Sequence, residues 1–69
     1  MKTLLIEKTT VGSSECEVIM LHDQENKRSS YVYTNEVNYQ EWVIEQANAF
    51  RNNGYKIFNN TEIKLNELA

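Results

Sequence analysis

One stretch of helical periodicity constrains the fold more than any other feature of the sequence. Within residues 38–53, apolar side chains and one glutamine recur at i, i+3, i+4, i+7, i+8 and i+11, which is the spacing of one face of an α-helix. This spacing predicts an amphipathic helix over residues 38–53 that packs its apolar face on another layer. The residues of that face are Tyr39, Trp42, Val43, Gln46, Ala47 and Phe50.

The start of this helix carries residues that suit a helix N-terminus. We expect Asn38 to accept a hydrogen bond from a first-turn N–H while Glu41 reaches back, as in a capping box. Val37 and Trp42 occupy the two positions of a hydrophobic staple. A start one turn earlier, with Thr34 as the capping residue, is the alternative.

The end of the helix is marked by Gly54. We expect this residue to adopt the left-handed conformation that ends many helices, because a glycine has no side chain to clash there. Tyr55 is then placed to contact Phe50. The pattern therefore predicts a helix ending of the Schellman type.

The segments around the helix favour β-strands. Three segments before it are separated by turns of small and polar residues, so their short connections predict an antiparallel meander. Residues 61–65 fit a further strand, and residues 61–68 fit a short helix or a tail equally well. The predicted fold is α+β, an antiparallel sheet of three to five strands with one amphipathic helix on one face, in the order β-β-β-α-β. The predicted strands are residues 2–8, 15–22, 28–34 and 55–58.

Composition excludes several classes of protein. The length of 69 residues leaves room for a single domain, residues 1–69, with a small core. Seven Lys and Arg against ten Asp and Glu give a formal charge of −3, which disfavours nucleic acid as a partner. Cys16 and His22 are the only cysteine and histidine, so we expect no internal disulfide and no metal site. The apolar run at residues 4–6 is too short for a secretory signal or a membrane span, which favours a cytoplasmic protein without a membrane partner.

The strands suggest a partner protein. One helix covers one face of a sheet, yet each of the first three strands has apolar side chains on both faces. We expect the interface to be the face with Ile19, Leu21, Tyr31 and Tyr33, because aromatic residues are enriched at binding surfaces. A homodimer is the simplest form of such a contact. The alternative is that residues 61–69 fold back over this face as an internal lid.

The sequence offers little catalytic chemistry. His22 adjoins Asp23, but neighbouring residues of a strand point to opposite faces, so His22 would need another orienting group. Cys16 lies between Glu15 and Glu17, whose charges oppose a reactive thiolate, and we expect it to be a small buried residue. No phosphate-binding loop, dinucleotide motif or metal-binding spacing is present. We therefore expect no enzyme activity, no cofactor and no small-molecule substrate.

Three hypotheses for the function follow. The first is a noncatalytic interaction or regulatory protein that acts through a sheet face or edge, with itself or another protein as partner. The second is an inhibitor of a host protein. In length, acidity and lack of motifs the chain resembles small accessory proteins of phages and prophages, including inhibitors of the anti-CRISPR kind. This resemblance implies inhibition of a host protein and assigns a role to no residue. The third is a single-stranded nucleic-acid binder that stacks bases on Tyr31 and Tyr33.

The order of three strands and then a helix is also similar to that of HicB-type antitoxins. This chain lacks their glycine-rich strand turns and their acidic helix start. We therefore assign it to no family on these grounds.

Overall fold

The computed structural model describes residues 2–12 and 16–65. It confirms the α+β class and the β-β-β-α-β order. The strand starts lie within one residue of those expected, and β1 runs further along the chain than predicted. The elements are β1 (Thr3–Val11), β2 (Cys16–Asp23), β3 (Arg28–Tyr33), α1 (Tyr39–Asn52) and β4 (Lys56–Asn60).

The four strands form one sheet in the order β3-β2-β1-β4. The meander β1-β2-β3 is antiparallel as expected, whereas β4 runs parallel to β1, so the sheet is mixed. Two antiparallel steps make β3 parallel to β1, and β3 is therefore also parallel to β4. Parallel strands need a long crossover connection, and α1 provides it between the two edges of the sheet.

The helix packs through the face that its periodicity predicts. Val43 and Ala47 are completely buried, and the aromatic residues of the stripe are partly buried against the same core. Their partners on the sheet are Leu4, Ile6, Ile19 and Leu21, each at most 1% exposed. These side chains and α1 form the main core of the protein. We call this side of the sheet the helix side.

The C-terminus of α1 has the predicted Schellman geometry. Gly54 has φ of 86°, its N–H donates to the carbonyl of Arg51 at 3.0 Å, and the N–H of Tyr55 donates to the carbonyl of Phe50 at 3.1 Å. The rings of Phe50 and Tyr55 meet edge to face at 4.8 Å. The glycine and the ring contact together end the helix and direct the chain into β4.

The prediction for the N-terminus of α1 is wrong. Asn38 has φ of 64° and makes no side-chain capping hydrogen bond; only its carbonyl accepts from the N–H of Trp42, at 3.2 Å. A side-chain cap usually needs extended backbone at the cap residue, which the left-handed conformation of Asn38 does not provide. Val37 is 85% exposed and forms no staple. The alternative start at Thr34 is also wrong, since α1 begins at Tyr39 and the Thr34 hydroxyl donates to the carbonyl of Glu17.

Residues 61–65 form neither a helix nor a strand, and they pack on the helix side. Ile63 and Leu65 are buried in the core around α1, at 8% and 4% exposed. Asn59 fixes the bend before them, because its Nδ2 donates to the carbonyl of Ile63 at 2.6 Å and its Oδ1 accepts from the N–H of Thr61 at 3.1 Å. Residues 61–65 thus cover Ile19 and Leu21, as the lid alternative expects, but leave Tyr31 and Tyr33 exposed. The part of that alternative that concerns residues 66–69 lies outside the described residues.

Candidate functional site

The candidate site is the side of the sheet opposite α1, which we call the open face. Side chains alternate between the two sides of a strand, so the strand register assigns each residue to one side. Leu4 and Leu21 lie on the helix side, and their strand neighbours therefore point the other way. The open face comprises Leu5, Glu7, Val18, Met20, His22, Ser29, Tyr31, Tyr33 and Phe58.

The structure divides the four predicted interface residues between the two sides of the sheet. Tyr31 and Tyr33 lie on the open face, where they stand opposite Met20 and Val18 in the register. Ile19 and Leu21 lie in the core beneath α1 and are 1% exposed. Grouping them with the tyrosines is therefore wrong. Alternation sorts the residues of each strand into two sets, but the register decides which sets share a face.

Aromatic side chains make the two edges of the open face apolar. Tyr31 is 54% exposed and Tyr33 37%, and their rings meet edge to face with centroids 5.6 Å apart. At the other edge Phe58 is 47% exposed, with the Lys56 Nζ 5.4 Å from its ring centroid. The proximity of Tyr31 raises the pKa of the Tyr33 hydroxyl. Between the edges, Leu5 and Met20 are partly exposed.

A polar network lies across the middle of the same face. The Nδ1 of His22 is 2.7 Å from the Ser29 Oγ, and its Nε2 is 3.2 Å from the Glu7 Oε1. The register explains the arrangement, because His22 stands directly opposite Ser29 on β3 and diagonal to Glu7 on β1. Asp23, the sequence neighbour of His22, takes no part and binds its own turn.

The alternation of residues along each strand does not by itself predict that Glu7 and Ser29 lie next to His22. The signal in the sequence is the turn at residues 24–27: once Asp23 is placed opposite Arg28, Ser29 faces His22. Asp23 does not orient His22, as expected, and Glu7 and Ser29 are the other groups that do.

The network has the connectivity of a nucleophile, a base and an orienting carboxylate. With the proton of neutral His22 on Nε2, that nitrogen donates to Glu7 and Nδ1 accepts from the Ser29 hydroxyl. The side chains of His22 and Glu7 are 29% and 38% exposed, and Ser29 is exposed on an edge strand. Water therefore reaches all three groups, which weakens their electrostatic coupling.

A second group of polar residues lies at the turn between β2 and β3, and most of its hydrogen bonds join residues of that turn. The Asp23 carboxylate accepts from the N–H groups of Glu25 and Asn26 and from the Asn26 side chain, at 3.0 to 3.2 Å. The side-chain bond from Asn26 is the main cause that lowers the pKa of Asp23. Asn26 also donates to the Tyr55 hydroxyl, at 3.2 Å. These bonds fix the hairpin on the helix side.

Cys16 is exposed at the start of β2, so the expectation that it is buried is wrong. Within residues 2–12 and 16–65, no three His, Cys, Asp or Glu side chains come together as a metal site would require. Over the same residues, no helix combines the length and the apolar character needed to cross a membrane.

The open face thus combines exposed aromatic edges with a central polar network, while α1 and residues 61–65 pack on the other side. Comparison with protein-family models, with curated protein sequences and with solved structures finds no match for this chain.

Proposed function

We propose that this protein is a noncatalytic binding domain that contacts another protein through its open face. The observation that carries the proposal is the placement of the two covering segments. α1 and residues 61–65 both pack on the helix side, while Tyr31, Tyr33 and Phe58 remain exposed on the other. Exposed aromatic side chains on a sheet face that no other element covers are typical of an interaction surface.

The composition of the open face supports a protein as the partner. Tyrosine and phenylalanine are enriched in protein interfaces, where their rings bury a large area at a small cost in side-chain entropy. His22, Glu7 and Ser29 satisfy one another by hydrogen bonds, so this polar centre does not oppose burial as unpaired groups would. A regulator or inhibitor that covers part of a larger protein would use the same surface.

The test introduces one negative charge on the open face and the same charge elsewhere. Proteins that bind the intact chain in an extract of its native cell are identified by mass spectrometry, and the binding is repeated with the purified partner. Phe58→Glu should weaken that binding at least tenfold, because a charge is buried without a partner. Val37→Glu is the matched control, since Val37 is 85% exposed and lies outside the sheet.

Equal binding by the wild type and the Phe58→Glu variant would contradict the proposal. Equal weakening by both variants would also contradict it, because the effect would then come from net charge. Circular dichroism of both variants checks that they remain folded.

The Ser29–His22–Glu7 network favours a second candidate, a serine hydrolase. In that case Ser29 would attack an ester carbonyl, and His22 would take the hydroxyl proton and give it to the leaving alcohol. Water would then cleave the acyl–Ser29 ester, release the acid and restore the Ser29 hydroxyl. A fluorophosphonate probe followed by mass spectrometry separates the two functions. Binding without catalysis predicts an unlabelled Ser29, whereas labelling that disappears in His22→Gln would support the hydrolase.

The exposed aromatic edges also fit the stacking of single-stranded bases, the function that the tyrosines suggest from the sequence. The formal charge of −3 and the Glu7 carboxylate on the same face oppose phosphate binding. A labelled oligonucleotide titrated at low salt should therefore show no binding. Binding that is lost in Tyr31→Ala would favour nucleic acid over protein.

The exposed thiol of Cys16 supports a reducing compartment such as the cytoplasm. In an oxidising compartment a lone exposed thiol is prone to intermolecular pairing. The state of Cys16 in protein taken directly from its native cell tests this placement. We expect the free thiol, and a mixed disulfide would argue for an oxidising compartment.

A further inference from the structure

Within residues 2–12 and 16–65, the main chain of β3 has hydrogen-bonding groups at the edge of the sheet that no other strand uses. In an antiparallel pair, opposite residues alternate between those that exchange hydrogen bonds and those that do not. The N–H of Thr34 donates to the carbonyl of Glu17 at 3.1 Å, which fixes this alternation between β2 and β3. The N–H and carbonyl groups of Ser29, Tyr31 and Tyr33 therefore point away from β2.

The other side of β2 agrees with this alternation. The N–H of Gln24 donates to the carbonyl of Thr3 at 3.0 Å, so the even-numbered residues of β2 bond to β1 and the odd-numbered ones to β3. One outward group already has a partner, because the Tyr33 carbonyl accepts from the N–H of Glu36 at 3.1 Å.

The two edges of the sheet differ in the features that discourage pairing. A lysine on an edge strand is a common obstacle to strand addition. β4 begins with Lys56, and Asn59 and the chain after it are held by side-chain hydrogen bonds. β3 contains no lysine, proline or glycine, and its only charged residue is Arg28, at its first position. Of the two edges of the described sheet, β3 is therefore the one better suited to pair with another strand.

We propose that β3 pairs antiparallel with β3 of a second copy of this chain, with Tyr31 on the two-fold axis. In this register Tyr31 faces Tyr31 of the second copy, and Ser29 faces Tyr33. This antiparallel register places all the outward-pointing residues, 29, 31 and 33, in hydrogen-bonded pairs. The Tyr33 carbonyl, which already accepts from Glu36, would accept its second hydrogen bond from Ser29 of the other copy. The inference goes beyond the proposed function, because it places a second interface at the β3 edge, next to the open face.

Charge supports a second copy as the partner. Lys27 and Arg28 lie at one end of β3 and Glu36 follows the other end, and these exposed residues form no ion pair within the part of the chain that is described. Antiparallel pairing brings the cationic end of one copy to the anionic end of the other, twice. The strand edge is therefore complementary to itself in charge as well as in hydrogen bonds.

The pairing leaves the open face free. Residues that face each other across two strands point to the same side of the sheet, so both open faces join into one surface with the tyrosines at its centre. The dimer would thus present a larger apolar surface to the partner of the proposed function, and the two interactions are separable.

Disulfide trapping tests the register. In a Cys16→Ser background, Tyr31→Cys should form a covalent dimer on mild oxidation at low protein concentration. The two Cα atoms of a hydrogen-bonded antiparallel pair lie about 5.5 Å apart, within the range of a disulfide. Ser29→Cys and Tyr33→Cys should each stay largely monomeric but cross-link when mixed. Phe58→Cys, at the opposite edge, is the matched control.

Sedimentation equilibrium of the unmodified chain gives the second readout. The dimer predicts a species of twice the 8.1 kDa chain mass. Tyr31→Pro, which removes an outward N–H, should shift the chain to monomer more than Tyr31→Ala, which removes the ring alone. A strict monomer at high concentration, or equal cross-linking of all cysteine variants, would overturn the dimer. The Phe58→Glu and Val37→Glu comparison judges the proposed function independently of this result.

Discussion

The two sides of the sheet carry similar numbers of apolar side chains and use them differently. On the helix side Leu4, Ile6, Ile19 and Leu21 are at most 1% exposed, under α1 and residues 61–65. On the open face Tyr31 and Phe58 are about half exposed, at 54% and 47%. The difference shows that the aliphatic residues of the helix side build the core of this chain, while the aromatic residues of its strands stay exposed to solvent.

The largest expected effect is the contrast in stability between the two sides. Leu21→Ala should lower the free energy of unfolding by about 2 to 5 kcal/mol, because it leaves a cavity in a fully buried core. Tyr31→Ala should lower it by less than about 1 kcal/mol, since its ring is half exposed. Urea unfolding followed by circular dichroism measures both. Similar losses in the two variants would break the comparison.

The end of α1 should give an intermediate effect. Gly54→Ala places a side chain at φ of 86° with no other atom within 4 Å, so only backbone strain is added. We expect a loss of about 1 kcal/mol in unfolding free energy, and a smaller loss for Gly54→Asn, because asparagine tolerates the left-handed conformation. The same urea titration measures both variants. Equal stability of Gly54→Ala and wild type would contradict the role of this glycine.

The next prediction concerns the hairpin on the helix side, whose stabilisation by Asp23 should be lost in acid. The pKa of Asp23 is lowered in the folded protein, mainly by the hydrogen bond from the Asn26 side chain. Its contribution to stability is therefore present above its unfolded pKa of about 3.9 and is lost as the pH falls through the folded value. The stability difference between wild type and Asp23→Asn should shrink as the pH falls below about 4. A difference that is constant from neutral to acid pH would argue against this.

The smallest effect should come from the polar network of the open face. Ser29→Ala removes one hydrogen bond to His22 at an exposed site, so the unfolding free energy should change by less than about 1 kcal/mol. Ser30→Ala, on the other side of the same strand, is the control. A large loss in Ser29→Ala alone would show that the network holds the sheet together and is not mainly part of a surface.

Local sequence signals predict the helix and its end well. The apolar stripe from Tyr39 to Phe50 predicts a packed helix whatever the strand order of the sheet it packs on. The helix ending at Gly54 depends only on residues that are adjacent in sequence. The start of α1 was less predictable, because Asn38 satisfies the composition of a cap but adopts left-handed backbone. A residue type that suits a position does not determine its conformation.

The open face could not be assembled from alternation alone. Ile19 and Tyr31 are both odd-numbered apolar strand residues, yet β2 and β3 are offset so that they point to opposite sides. The same offset brings Ser29 to His22. Local patterns also did not predict where residues 61–65 pack. The spacing of Ile63 and Leu65 suits a strand or a helix, and only the tertiary structure shows which side of the sheet they cover.

Photo-crosslinking tests the central claim most directly. The photoreactive residue p-benzoylphenylalanine is placed at position 58 on the open face in one protein and at position 37 in another, and each is irradiated with the partner identified by capture. The account predicts a covalent adduct with the partner from position 58 and little from position 37. Adducts from position 37 alone, or equal adducts from both, would contradict the assignment of the open face as the binding surface.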